Sequence, residues 1–267
     1  MKSLLGHRHR RALTLTLVVT AALAAGPVFA DAPSRPRPIQ AKTVITQPGS
    51  YVLVRGFTLT EPGTAILITA SDVTLNLAGN TLTGPGGKQG VGVQVEGASS
   101  VRIHGGTLGA FGTGVQVSAS SNVRVENLQI DGEDLGGPPP GEVGILIFNS
   151  RAVIVEHNVV SRTFLGIFVR GGGSGGNRIA NNTLTGGSNG QLAICYNPDG
   201  LGTPDGPSGD LVYNNLASRF NLGIQTSSGT VGNIFRENAI AFFQEAINEV
   251  SPGQNVFEGN TSIAAVP

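Results

Sequence analysis

Arg170, Phe168, Phe148, Leu146, Gln116, Gln225 and Asn197 are the residues of this 267-residue chain whose types suit work on a ligand. They supply a guanidinium, two aromatic rings, an aliphatic surface and three amides, and they recur at related points of one repeating pattern. Aromatic faces beside amides and an arginine suit a sugar ring and its carboxylate. On a uronate, β-elimination requires a base to remove the C5 proton and a cation to neutralise the adjacent carboxylate. Arg170 suits either part. A second set is acidic: Asp131, Asp134, Glu142, Asp199 and Asp205 stand in two long polar stretches. They would hold a calcium ion through their oxygens if those stretches converge; as ordinary loop carboxylates they would be solvated instead.

Other reactive types are weaker candidates. Cys195 falls in the same outward row as Phe168, but no basic partner stands near it in sequence, so it reads as a bystander thiol. Glu156 and His157 form an adjacent acid and base, yet their phase puts them at a solvent-facing corner, and His104 takes a similar position. Glu96 is two coils away and reads as a rim charge. Phe148 and Phe168 also have a plain alternative role, packing beneath long loops.

What positions these residues is a repeat. A small residue followed by an apolar-x-apolar pair begins at Ala65, Gly92, Gly114, Gly144, Gly166, Ala193, Gly223 and Ala246. Successive spacings are 27, 22, 30, 22, 27, 30 and 23 residues, so a unit of about 22 carries insertions. Alternation along a strand sends Ile145 and Ile147, or Ile167 and Val169, inward and leaves Leu146 and Phe168 outward. A second strand follows in each unit (Val123/Val125, Val153/Val155), and then an asparagine at Asn80, Asn158, Asn182, Asn215, Asn238 and Asn260, with Gly106 and Leu128 in the two exceptional turns. Asparagines recurring in phase with the apolar pattern predict a buried ladder that satisfies backbone groups out of reach of water. The expected architecture is all-β, a single-stranded right-handed parallel β-helix of about eight coils. A leucine-rich repeat is excluded because Val and Ile dominate and no helical stretch follows.

Composition and charge agree. Forty glycines, no tryptophan and 13% charged residues describe many turns around a core of small and branched aliphatics. Residues 1–30 read as a signal peptide: Lys2, Arg8, Arg10 and Arg11 precede the apolar run Ala12–Ala25, and Val28-Phe29-Ala30 offers a cleavage site. Arg10-Arg11 also permits a twin-arginine route. The leader carries four of the 17 basic residues and no acid, so its removal leaves 13 basic against 17 acidic residues, a net charge of −4. That excludes a nucleic-acid footprint, and no second apolar run of membrane length follows. The mature protein is expected to be secreted or periplasmic and monomeric. Residues 31–42 read as a flexible linker and 43–267 as the solenoid, with 43–62 closing its N-terminal end. With Cys195 as the single cysteine, no internal disulfide can form.

The stretch Ile45-Thr46-Gln47-Pro48-Gly49-Ser50-Tyr51-Val52-Leu53, with Ile68-Thr69-Ala70-Ser71-Asp72-Val73-Thr74-Leu75-Asn76-Leu77-Ala78-Gly79-Asn80-Thr81-Leu82 after it, resembles the opening of many secreted members of the right-handed parallel β-helix, pectate-lyase-like superfamily. The resemblance covers roughly residues 43–263. It implies that ligands lie on the outer face of the first sheet, walled by variable turns, and that the partner is a polysaccharide or cell-surface glycan. The insertions 131–142 and 197–209 and the glycine loop 171–176 bracket the same central coils. The family's hydrolase signatures (an Asp-Asp pair, Gly-His-Gly), its Asp-Pro-His-Asp epimerase motif and its copper-ligand clusters are missing here. Two functions follow as expectations: a uronate lyase or epimerase, or a non-catalytic carbohydrate-binding or structural β-helix.

Overall fold

The computed structural model describes residues 35–135, 142–197, 206–250 and 253–264, and its secondary structure there is entirely β. Every strand pairing is parallel, each strand meeting the corresponding strand of the coil before and after it. The chain therefore climbs as a right-handed parallel β-helix of about eight coils, with three strands to a full coil. The central coil has a first strand Val143–Phe148, a second Ile154–Glu156 and a third Val159–Thr163. Among the described residues no helix is long and apolar enough to cross a membrane.

The predicted inward residues form the core. Val115, Ile145, Ile167, Ile194 and Ile224 stack in register from coil to coil and are buried, as are Val123, Val153, Ile179, Val212 and Phe235 behind them. Full burial of each such side chain contributes about 1.5–3 kcal/mol. The small residue that opens each first strand has a steric cause. A Cβ on Gly144 would press on Val160 Cγ1 of the third sheet and lie 2.5 Å from the carbonyl oxygen of Gly166. Gly144 and Ile145 thus both sit on the inner side, and strict alternation fails by one residue at this corner. The residue before the glycine is turned outward as a result, which places Thr113, Val143 and Leu165 on the outer face in register.

The asparagine ladder runs unbroken from Asn158 through Asn182, Asn215 and Asn238 to Asn260. Each side-chain nitrogen donates to the next Oδ1 at 2.9–3.0 Å, and each Oδ1 also accepts a backbone N–H from the previous coil. The residue ahead of each rung takes a left-handed conformation (His157 φ 56°, Asn181 56°, Asn214 52°, Glu237 53°), which turns the corner. Asn80 stands apart, donating to Leu53 O at 2.7 Å, because Gly106 and Leu128 interrupt the column. Two further ladders went unread in the sequence. Ser120, Ser150 and Ser174 pass backbone N–H to Oγ bonds between coils. Asn177, Asp210, Asn233 and Asn255 do the same at another corner.

Several details differ from expectation. Arg37–Ile39, predicted to lie in a flexible linker, is a strand paired with Gly49–Leu53, and Ile39 is buried. Glu156 does not face solvent: it is buried on the outer face of the second sheet between Arg124 (3.0 Å) and Arg178 (2.7 Å). Glu126, one coil away, is likewise clasped by Arg102 and Arg124. Burial opposes its charge, but the two arginines outweigh that and hold its carboxyl below the usual range. His104 lies within the strand Ser99–Gly109 rather than at a corner, and burial followed by the charge of Arg102 lowers its pKa. His157 is exposed at its corner, as expected.

Two outcomes follow. Asn182→Ala removes a rung that makes five bonds, stranding the buried backbone N–H and one side-chain N–H of Asn158, both of which donate to its Oδ1. At about 1–3 kcal/mol for each stranded group, urea unfolding should show a loss of several kcal/mol, against a much smaller loss for half-buried Asn80→Ala. Asp210 stands where its ladder otherwise uses asparagine, and burial pushes its carboxyl above the usual range despite hydrogen bonds from Asn177. A raised folded pKa stabilises fully below the unfolded value of about 3.9 and loses that contribution as pH rises through the folded value. Asp210→Asn should therefore raise the melting temperature at pH 7, and the gain should shrink toward pH 4.

Candidate functional site

Outward residues of the central first-sheet strands form the floor of a groove. A cavity of about 320 Å³ opens there, lined by Thr113, Val143 and Leu165 in one row and by Leu146 and Phe168 in the next. Arg170 closes one end; Lys88, Gly90, Gly112 and Phe164 close the other. The volume is at the lower end of the range for small-ligand sites, and the floor is apolar with cations at its limits.

The sequence-predicted residues divide. Leu146, Phe168 and Arg170 line the cavity together. Phe148 lies at its margin, in register with Arg170, whose guanidinium carbon is 6.0 Å from the Phe148 ring centroid. This is within reach of a cation–π contact. Gln116 precedes Leu146 in register and donates to Ser118 Oγ at 3.0 Å. Asn197 follows Arg170 in register and is exposed. Gln225 is separated from Phe168 by the coil of Cys195. Glu96 lies exposed beside Ser118.

Lys88 and Phe164 are the lining residues that sequence reasoning missed. Lys88 sits in the turn Gly84-Pro85-Gly86-Gly87-Lys88-Gln89-Gly90 with φ 62°, three coils before Arg170. Phe164 follows the third strand of its coil as the chain turns back into the first sheet, where the period of two no longer applies. The row Thr113, Val143 and Leu165 was hidden for the same reason. Only the glycine turn offered a signal, since a lone lysine among glycines is presented by a mobile-looking loop.

The acidic stretch turns out to be a strut. Asp131 pairs with Arg162 through both carboxylate oxygens and accepts from Ser161 Oγ at 2.8 Å. The Arg162 hydrogen bond holds its carboxyl below the usual range. Glu133 accepts the backbone N–H of Gly87 at 2.7 Å and so fixes the turn that carries Lys88. Asp134 accepts from the backbone and hydroxyl of Ser188. Glu142 is buried and accepts the backbone N–H of Glu133 at 2.6 Å; burial pushes its carboxyl up, partly offset by N–H groups of residues 133–135. Glu142 and Asp134 line a cleft of about 10 Å³ that adjoins the groove behind Phe164 and Lys88. This is room for about one water. Asp131 and Asp134 thus take separate partners instead of converging, and among the described residues no group of three or more His, Cys, Asp or Glu is placed to share a metal ion. Asp199 and Asp205 lie outside the described residues.

Cys195 is outward by register yet covered: it is 3% exposed, and burial pushes its thiol up to about 12. The expected accessible thiol is therefore an enclosed one. The native protein should leave Cys195 unmodified by a thiol reagent such as iodoacetamide at pH 8, and labelling should become complete in denaturant; rapid native labelling would contradict this burial.

Residues 43–203 match the family described as right handed beta helix region. Among curated proteins, none matches the chain in sequence. Similar solved structures include the Dettilon tailspike protein, with a TM-score of 0.57 and 16% identity over 85% of this chain and 54% of that one. A mutant tailspike protein of E. coli bacteriophage HK620 in complex with a pentasaccharide has a TM-score of 0.53 and 12% identity over 85% of this chain and 50% of that one. An alginate lyase from Paenibacillus sp. str. FPU-7 has a TM-score of 0.45 and 15% identity over 80% of this chain and 97% of that one. The chain spans about half the length of the two tailspike proteins. At these identities the likeness is one of fold.

Proposed function

The chain belongs to the right-handed β-helix family, and we propose that the groove on its first sheet binds an acidic polysaccharide and acts there as a uronate lyase or epimerase. One observation carries this reading: Arg170 and Lys88 line a single cavity whose floor includes Leu146, Phe168, Val143 and Leu165. The apolar and aromatic floor suits the C–H faces of a sugar ring, and the cations suit its carboxylate. The proposal includes export through the leader, so that a cell-surface or environmental glycan is the partner. The described carboxylates once expected to hold calcium are engaged within the protein, so charge neutralisation is assigned to Arg170.

In the elimination, the C5–H bond and the C4–O bond break and a C4=C5 double bond forms, the proton passing to a base and the leaving oxygen gaining a proton. An epimerase shares the first half and returns a proton to the opposite face of C5. Both reactions place extra negative charge on the carboxylate as C5 loses its proton. Arg170 stabilises that charge, and the apolar floor keeps water from competing for it.

A second reading has its own support. No carboxylate lines the cavity among the described residues, Glu142 and Asp134 lying in the adjoining cleft. That favours a non-catalytic carbohydrate-binding or cell-surface element. The two readings separate on incubation with pectate, alginate and glycosaminoglycan, with and without calcium. Product is followed by the absorbance of unsaturated uronates and, for C5 inversion, by proton NMR. Activity on one polymer, reduced about 100-fold in Arg170→Ala at unchanged melting temperature, is the expected result. Binding with neither product supports the non-catalytic reading; no binding to any acidic polymer overturns both.

A further inference from the structure

The groove has a direction. Along the solenoid axis its apolar floor is only two coils deep in the middle row, Leu146 and Phe168, and neighbouring coils lie about 4.8 Å apart. Beyond Leu146 the row continues with Gln116, whose amide is engaged by Ser118, and beyond Phe168 with the enclosed Cys195. The lining as a whole passes through four coils, from Lys88 and Gly90 through Thr113 and Val143 to Phe168 and Arg170. At about 4.8 Å per coil, Lys88 and Arg170 stand roughly 14 Å apart along the axis, one ahead of its first-sheet strand and the other at the end of its own. The two cations therefore occupy diagonal ends of the groove, with apolar side chains between them.

Resting on the reading of the groove as an acidic-glycan site, we infer that the glycan lies across the first-sheet strands, clamped at one end by Arg170 and at the other by Lys88. Such a clamp selects an oligosaccharide long enough to present an anionic group to each cation, over a single uronate. Lys88 is set for this by the protein itself. Its left-handed turn is tied to the acidic strut through Gly87 N–H and Glu133. A Cβ on Gly112 would press on the Lys88 carbonyl oxygen, so the backbone of this end is closely seated on the next coil.

Titration calorimetry of the full chain with galacturonate and mannuronate as monomers, dimers and tetramers tests the clamp. Tetramer should bind more tightly than monomer, and Lys88→Ala should weaken the tetramer about ten- to a hundredfold, the worth of a hydrogen bond to a charged group. The same variant should weaken the monomer far less than the tetramer. Lys88→Arg, which restores the charge, should recover most of the tetramer affinity. Affinity independent of chain length, or a tetramer indifferent to Lys88→Ala, overturns the clamp while leaving the site intact. Failure of every uronate to bind the parent protein overturns the reading of the site on which it rests.

Discussion

At the asparagine corners from Asn158 to Asn260 the backbone turns through a single left-handed residue, and the amides beside it face another coil instead of water. That constraint governs the molecule. A buried backbone group left unpaired costs as much as a lost hydrogen bond, and a solenoid repeats the liability on every turn. The protein answers with columns of short polar side chains that imitate the strand ladder where the strands have ended. Asparagine serves best because one amide both donates and accepts along the stack, as from Asn158 to Asn260. Serine does the work with one hydroxyl at the corner of Ser120, Ser150 and Ser174. Asp210 is the exception that shows the rule, since a carboxylate accepts at both oxygens and cannot pass a hydrogen bond onward unless it is protonated.

Given corners that hold, the sheets are free to differ on their outer faces. The second sheet carries the run Arg102, Glu126, Arg124, Glu156 and Arg178, in which each buried carboxylate lies between two half-exposed guanidinium groups. The same outward column becomes apolar further on, at Leu211, Ile234 and Val256. The first sheet takes another course. Its middle coils expose Leu146, Phe168 and Leu165, and loops wall them in. A rigid ladder beneath a varied surface is what allows these side chains to be held at fixed spacing without a thick core.

The insertion at 131–135 shows how charge is used in this chain. Asp131, Asp134 and Glu142 stood out in the sequence as possible ligands, but they and Glu133 are each directed at a different protein donor: Arg162, Ser188, the loop's own backbone and the Gly87 amide. The effect is mechanical. The acidic strut pins the glycine turn, the turn presents Lys88, and the groove acquires its second cation. Charges that read as chemistry serve as fastening, and the second cation comes from a turn of glycines.

The repeat was legible because burial imposes a period. Ile145, Ile147, Val153, Val155 and Asn158 announce a coil by spacing alone, and so do the glycines, since inward space beside Val160 admits little more than a hydrogen at Gly144. The floor residues Leu146, Phe168 and Arg170 follow from the same period, one step out of phase. Lys88 and Phe164 were not legible, because turns have no period and their place depends on which coils the chain has stacked beside them. The buried state of Glu156 and Cys195 was hidden for a related reason: phase tells which way a side chain points, whereas its neighbours decide whether water reaches it. By itself the sequence determined the coil, its core and the location of the groove. Only the tertiary structure decided which charges face that groove, because those charges arrive from loops that are placed by contacts far apart in the chain.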